Sequence, residues 1–76
     1  MTANVTEAQD GVRQELVGML LEKVESDRFP SATMLDLIEQ LVGPEEMAAY
    51  AEVLMRKVRD DTYPSMDLIR RIKSLC

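Results

Sequence analysis

The sequence predicts an all-α protein in which four short helices form two tandem helical hairpins packed into a compact bundle. Three observations support this prediction. The composition favours helices, with many Leu, Met, Glu, Ala, Lys and Arg residues and only 4% aromatic residues among 76. Apolar residues recur at helical spacing in four segments. The chain also repeats itself without a gap at an offset of 34 residues.

The repeat predicts how the domain is organised. Identical residues stand at the pairs Leu20/Leu54, Lys23/Lys57, Val24/Val58, Asp27/Asp61, Pro30/Pro64, Ser31/Ser65, Ile38/Ile72 and Leu41/Leu75. We expect a flexible N-terminal lead over residues 1–7 and one helical domain over residues 8–76, with hairpins over about 8–42 and about 44–76. Tetratricopeptide repeats share this period, but their Trp, Gly and Ala positions are missing here. Closure of two hairpins into a bundle is therefore the better interpretation.

Helix 1 is predicted to begin near Thr6, which has a glutamine three positions later in the pattern of a capping box. Its core face is predicted to consist of Val12, Leu16, Met19, Leu20 and Val24. Pro30 ends the helix, because the residue before a proline is pushed out of the α region.

Helix 2 is predicted to start after an N-cap at Ser31 and to end at Gly43-Pro44. Glycine suits a left-handed C-terminal cap, and proline suits the first turn of helix 3. Ser65 is the equivalent cap of helix 4. The predicted core faces are Met34, Leu35, Ile38, Leu41 and Val42 for helix 2, Met47, Tyr50, Ala51, Leu54 and Val58 for helix 3, and Leu68, Ile69, Ile72 and Leu75 for helix 4.

Both hairpin turns contain the same box, Asp-x-aromatic-Pro-Ser. Its residues are Asp27, Phe29, Pro30 and Ser31 in the first copy and Asp61, Tyr63, Pro64 and Ser65 in the second. One hypothesis is a repeated docking motif. We favour a structural turn, in which proline sets the angle, serine caps the next helix and the aromatic ring fills the open end of the hairpin. Each aspartate either pairs with the lysine four residues earlier or accepts hydrogen bonds from loop amides.

The net charge of −5 lies in the first copy. Residues 1–43 contain eight acids and three bases, whereas residues 44–76 contain six of each. An acidic chain repels phosphate backbones, so nucleic acid is disfavoured as a partner. A nucleic-acid-associated regulator stays as the alternative, because helices 3 and 4 have a basic side made of Arg56, Lys57, Arg59, Arg70, Arg71 and Lys73.

Several classes of function are disfavoured. The chain has no histidine and one cysteine, Cys76, so we expect no catalytic thiol, no metal site and no cofactor. No apolar run approaches the length of a membrane span, and the N-terminus does not resemble a signal peptide, so a cytoplasmic protein is expected. In size, acidity and helical character the chain is similar to acyl carrier proteins. Their Asp-Ser-Leu signature is replaced by Pro-Ser-Ala at Ser31, which makes a carrier the less favoured alternative.

The remaining prediction is a non-catalytic protein–protein interaction module, an adaptor, regulator or assembly factor, with a homodimer as one form. Its interface is predicted to contain Val17, Leu21, Leu37 and Met55, which lie off the main core faces. Leu37→Glu or Leu21→Glu is expected to abolish association without unfolding the domain. Function is expected where the copies differ, at Glu22/Arg56, Glu25/Arg59, Asp36/Arg70, Leu37/Arg71 and Glu39/Lys73.

Overall fold

The computed structural model describes the backbone of residues 2–76 and the side chains of residues 9–76. Its helices are α1 (Thr2–Ser26), α2 (Ala32–Leu41), α3 (Pro44–Asp60) and α4 (Met66–Leu75). The described residues contain no strand. The predicted all-α class with four helices is confirmed.

The chain divides into two units, with the boundary between Val42 and Gly43. In the first unit α1 packs against α2, and in the second α3 packs against α4. The helix bounds follow the sequence repeat, since α1 and α3 end, and α2 and α4 begin, at positions separated by 34 residues. Each copy of the repeat therefore folds into its own helical hairpin.

The start of α1 differs from the prediction. The helix begins at Thr2, so Thr6 lies inside it and the predicted start near Thr6 is wrong. No proline or glycine precedes Gly11, and Ala3, Glu7 and Ala8 favour the helical state, so nothing local stops the helix from extending. Of the predicted lead over residues 1–7, Met1 lies outside the described residues.

The core of the first unit is apolar. Val17 and Val24 of α1 and Leu35 and Ile38 of α2 are at most 1% exposed. The predicted face of α2 is therefore confirmed at its centre. The predicted face of α1 is wrong at Val12, Leu16 and Met19, which are all exposed.

The core of the second unit contains Tyr50, Val53 and Leu54 of α3 and Leu68 of α4. Tyr50 and Leu54 are fully buried, as predicted, and Val53 joins them although it was not assigned to this face. Ile69, predicted to lie in the core, is instead exposed.

The helix starts obey the predicted capping rules. Ser31 has an extended backbone (φ −72°, ψ 148°), and its Oγ accepts a hydrogen bond from the Met34 amide at 3.1 Å. Ser65 is also extended, and its Oγ accepts from the amides of Asp67 at 3.1 Å and Leu68 at 3.4 Å. Both serines thus satisfy amides that the helix itself leaves without partners.

The junction at Gly43 differs from the prediction. Gly43 has φ −94° and ψ 177°, an extended conformation, so the predicted left-handed cap is wrong. It is the N-cap of α3: its amide donates to Glu46 Oε1 at 2.9 Å, and its carbonyl accepts from the amides of Glu46 and Met47. Pro44 follows in the first turn as predicted. Val42 takes over the C-terminal cap of α2, with its amide donating to the Ile38 carbonyl at 2.8 Å.

Candidate functional site

The four predicted interface residues lie in different environments. Leu37 on α2 and Met55 on α3 are 48% and 42% exposed, so both are accessible to a partner. Leu21 on α1 is half-buried. Val17 is fully buried, so it belongs to the core of the first unit and is not available at a surface.

Leu37 marks a difference between the two units. Its repeat equivalent is Arg71, whose Nε lies 2.8 Å from Asp67 Oδ2, and the arginine side chain is only 12% exposed. The second unit thus carries an ion pair where the first displays an apolar side chain. An exposed leucine on its own is ordinary for a protein surface. Whether Leu37 indicates an interaction site depends on whether other apolar residues are exposed in the same unit.

Three such residues lie on α1. Val12, Leu16 and Met19 are 66%, 37% and 52% exposed, and we refer to them as the α1 stripe. Their spacing of four and then three residues places them on one face of the helix. Sequence reasoning assigned this face to the core, because the apolar residues of α1 occupy an arc wider than one neighbouring helix covers. α2 packs along the side that carries Val17 and Val24, and the α1 stripe is turned away from that side.

Two of the equivalent positions in the second unit are buried. The repeat equivalents of Leu16 and Met19 are Tyr50 and Val53, which are 0% and 5% exposed. Two copies whose first helices end at equivalent positions therefore bury this pair of positions in one case and expose it in the other. Comparing the copies position by position identifies the α1 stripe as a property of the first unit alone.

The surroundings of the α1 stripe are mostly acidic. Glu15 and Glu22 are exposed at helical spacing from its members, and Lys23 follows at the C-terminal end of the same face. Asp10 lies on another side of α1, where its Oδ1 is 3.1 Å from Arg13 Nε and its Oδ2 accepts from Gln14 Nε2 at 2.9 Å.

Arg13 also connects the two helices of the first unit. Its Nη1 donates to the carbonyl oxygen of Leu41, the last residue of α2, at 2.8 Å. That carbonyl is one of those that a helix end leaves without an intrahelical donor. The contact fixes the end of α2 against the middle of α1, and so holds the face of α1 that carries the stripe in a defined orientation within its unit.

The repeated turn box is structural in its backbone contacts. Asp27 Oδ1 accepts from the Phe29 amide at 3.1 Å, and Asp61 Oδ1 accepts from the Tyr63 amide at 3.2 Å. These contacts, each spanning two residues, are Asx turns. The interpretation in which the aspartates accept from loop amides is confirmed. Together with the serine caps, they explain why the box recurs in both copies.

The aromatic residues of the box do not have the predicted role. Phe29 and Tyr63 are 74% and 88% exposed, so the prediction that they fill the open ends of the hairpins is wrong. The turn is already closed by the aspartate and serine side chains, which leaves the ring directed away from the core. The Arg28 guanidinium carbon lies 5.4 Å from the centroid of the Phe29 ring, within the range of a cation–π contact.

Within the part of the chain that the structure describes, no group of three or more His, Cys, Asp or Glu residues is arranged to hold a metal ion. The Cys76 thiol is exposed and lies 3.5 Å from the carbonyl oxygen of Ile72. In the same described part, none of the helices combines the length and the apolar character needed to cross a bilayer.

The α1 stripe is thus the candidate site, and Leu37 is a further exposed apolar residue on α2 of the same unit. Comparison of the chain with protein-family models, with curated proteins and with solved structures gives no significant match.

Proposed function

We propose that the chain is a non-catalytic protein–protein interaction module that binds its partner through the α1 stripe. The observation that supports this is the exposure of three apolar side chains on one helix face, beside a core that is otherwise well buried. Single exposed apolar residues are common, but a contiguous exposed row is typical of an interaction site.

The physical basis is apolar burial. Fully burying a side chain of the size of Val, Leu or Met contributes about 1.5–3 kcal/mol relative to leaving it in water. Val12, Leu16 and Met19 retain between 37% and 66% of their exposure, so a partner helix laid along them gains a useful part of that free energy. In such a contact, a partner helix packs along α1 and touches the stripe residue of each successive turn.

Charge defines the chemistry of the partner. Glu15 and Glu22 are exposed beside the stripe, and the first unit contains eight acids and three bases. A partner whose apolar helix is flanked by Arg or Lys is therefore favoured over one flanked by acids. Leu21, Leu37 and Met55 remain proposed contacts, because Leu21 is only half-buried and the other two are exposed, whereas Val17 is left out because it is buried.

The other parts of the proposal are an adaptor, regulator or assembly role without catalysis, and action in the cytoplasm. The absence of histidine and the single cysteine support the first part. A chain with one thiol has no internal disulfide to maintain, which suits a reducing compartment. Fractionation of native cells tests the location, and an intact mass equal to the bare chain tests against a loaded carrier.

The decisive experiment compares three tagged baits in a pull-down from native cells: the wild-type chain, Met19→Glu and Ala49→Glu. The last is the matched control, because it adds the same charge at an exposed helical position of α3 that is more than one turn from any proposed contact. We expect a protein, or an untagged copy of the chain, to be captured by the wild type and by Ala49→Glu and lost with Met19→Glu. Capture that does not distinguish the three baits contradicts the proposal, provided circular dichroism shows all three to be helical.

A further inference from the structure

A second exposed apolar face lies on α4, and its flanking charges are basic. Met66 and Ile69 are 60% and 36% exposed, and Arg70 and Lys73 are exposed beside them. The spacing of these four residues, at i, i+3, i+4 and i+7, places them on one side of the helix. We refer to Met66, Ile69, Arg70 and Lys73 as the α4 face.

The α4 face is similar to the α1 stripe in length and opposite to its surroundings in net charge. Val12 to Met19 and Met66 to Lys73 each extend over two turns, or about 10 Å of helix. On α1, Glu15 and Glu22 are exposed beside the apolar row and Lys23 follows it. On α4, the apolar pair Met66 and Ile69 is followed by the two bases, Arg70 and Lys73.

We infer that the partner of the α1 stripe is a second copy of this chain, which presents its α4 face. The inference rests on the proposed function, and it adds the identity of the partner. Charge complementarity supports it over the symmetric alternatives. An α1-to-α1 contact brings four glutamates together against two copies of Lys23, and an α4-to-α4 contact brings four cationic side chains together, whereas the mixed contact joins surfaces of opposite net charge.

The two surfaces in contact are not the same, so a pair joined by one such contact keeps one unused α4 face on the first copy and one unused α1 stripe on the second. These two surfaces either pair with each other, which closes a two-fold dimer, or bind further copies in open chains or rings. In each case the mean mass in solution is expected to rise above that of the monomer as protein concentration increases.

Charge reversal provides the test. The Glu15→Lys/Glu22→Lys variant makes both surfaces basic, and the Arg70→Glu/Lys73→Glu variant makes both acidic. Each variant alone is expected to weaken self-association at least about tenfold, a change that corresponds to ~1.4 kcal/mol. The chain that carries all four substitutions has opposite signs again, and so does an equimolar mixture of the two double variants. Both are expected to recover association close to that of the wild type.

Sedimentation velocity over a wide concentration range is the measurement, with circular dichroism to establish that each variant is folded. If one double variant does not fold, the corresponding glutamine substitutions take its place, with a smaller expected loss. Unchanged association of Arg70→Glu/Lys73→Glu, no recovery in the fourfold variant, or a wild-type chain that stays monomeric each overturns the inference. Loss of another captured protein in Met19→Glu leaves the proposed function standing in those cases. Capture that is indifferent to Met19→Glu defeats the proposed function itself.

Discussion

Two leucines of this chain experience opposite environments. Leu54 on α3 is fully buried, and Leu37 on α2 is 48% exposed. Truncating a buried leucine to alanine removes apolar contacts and leaves a cavity, at a cost of about 2–5 kcal/mol. We expect Leu54→Ala to lose unfolding free energy in that range, and Leu37→Ala to lose less than about 1 kcal/mol, since surface substitutions change stability little.

Urea denaturation followed by circular dichroism measures both values under one set of conditions. Leu37→Ala is the control for the loss of leucine at a helical position. Equal losses in the two variants would mean that Leu37 is covered in solution, and a stable Leu54→Ala would contradict the burial at α3.

At the residue scale, the sequence predicted the polar residues of the turns better than the aromatic ones. Ser31, Ser65, Asp27 and Asp61 have side chains that bond to amides two or three positions away, so a local pattern is sufficient to assign them. The environment of Phe29 depends on how the two helices meet beyond the turn, which no local pattern specifies.

At the scale of the helix, the serine caps should account for measurable stability. Ser31 accepts from one amide, and Ser65 accepts from two. Each Ser→Ala substitution is expected to cost about 1 kcal/mol of unfolding free energy, within a range of roughly 0.5–2. Ser31→Asp and Ser65→Asp are the matched controls, since aspartate caps helices as well as serine does. Chemical denaturation of the four variants checks this, and an alanine variant as stable as its aspartate counterpart would refute the capping role.

Helix α1 contains two glycines whose replacement by alanine is expected to stabilise the protein. An added Cβ at Gly11 or Gly18 meets no atom within 4 Å, and neither residue has a positive φ. Alanine in a helix interior is favoured over glycine by roughly 0.5–1 kcal/mol. Gly11→Ala and Gly18→Ala are each expected to raise the unfolding free energy by that amount, measured by urea denaturation.

Gly18→Ala also serves as a control for binding. It changes α1 without altering the α1 stripe, so capture of a partner is expected to persist. A loss of stability in either glycine variant would show that the helix interior is more constrained at these positions than the open space around them indicates.

The helices themselves were predictable, whereas the packing of α1 was not. Pro30, Pro64 and the serines after them fix where α2 and α4 begin, because each acts through its own backbone chemistry. The apolar arc of α1 is broad, so periodicity could not determine which part of it faces α2. The burial of Val17 in place of Leu16 is settled by tertiary contact alone.

For the whole molecule, charge makes a prediction about nucleic acid. The net charge is −5, and although the second unit has an exposed basic side at Arg59, Arg70 and Lys73, its six bases are matched by six acids. A chain of this charge repels a phosphate backbone, and any contact it makes weakens steeply with salt. We expect no gel shift of duplex DNA or single-stranded RNA at ionic strength near the physiological value. A shift that persists there and disappears in Arg70→Glu/Lys73→Glu would favour the nucleic-acid-associated regulator instead.

The repeat allowed the division into two units to be predicted, because the ends of α1 and α3 and both bounds of α2 and α4 follow the offset of 34 residues. The candidate site could be predicted only in part. Leu37 could be predicted from the sequence, because its repeat equivalent is the charged residue Arg71. The α1 stripe did not stand out, since Leu16/Tyr50 and Met19/Val53 are all apolar and their difference lies in exposure.

The contact between Arg13 and the Leu41 carbonyl has a consequence for motion. The repeat equivalent of Arg13 is Met47, which has no guanidinium to offer, and the Cys76 amide bonds instead to the nearby Lys73 carbonyl. The last turn of α2 therefore has a hydrogen bond to a side chain 28 positions earlier in the chain. The hydrogen bond of the Cys76 amide, at the end of α4, is to a residue of its own helix. Fraying of α2 has to break the charged hydrogen bond from Arg13 in addition to the helix's own bonds, so amide hydrogen exchange in its last turn is expected to be slowed by Arg13. Substituting Arg13 is expected to speed exchange there.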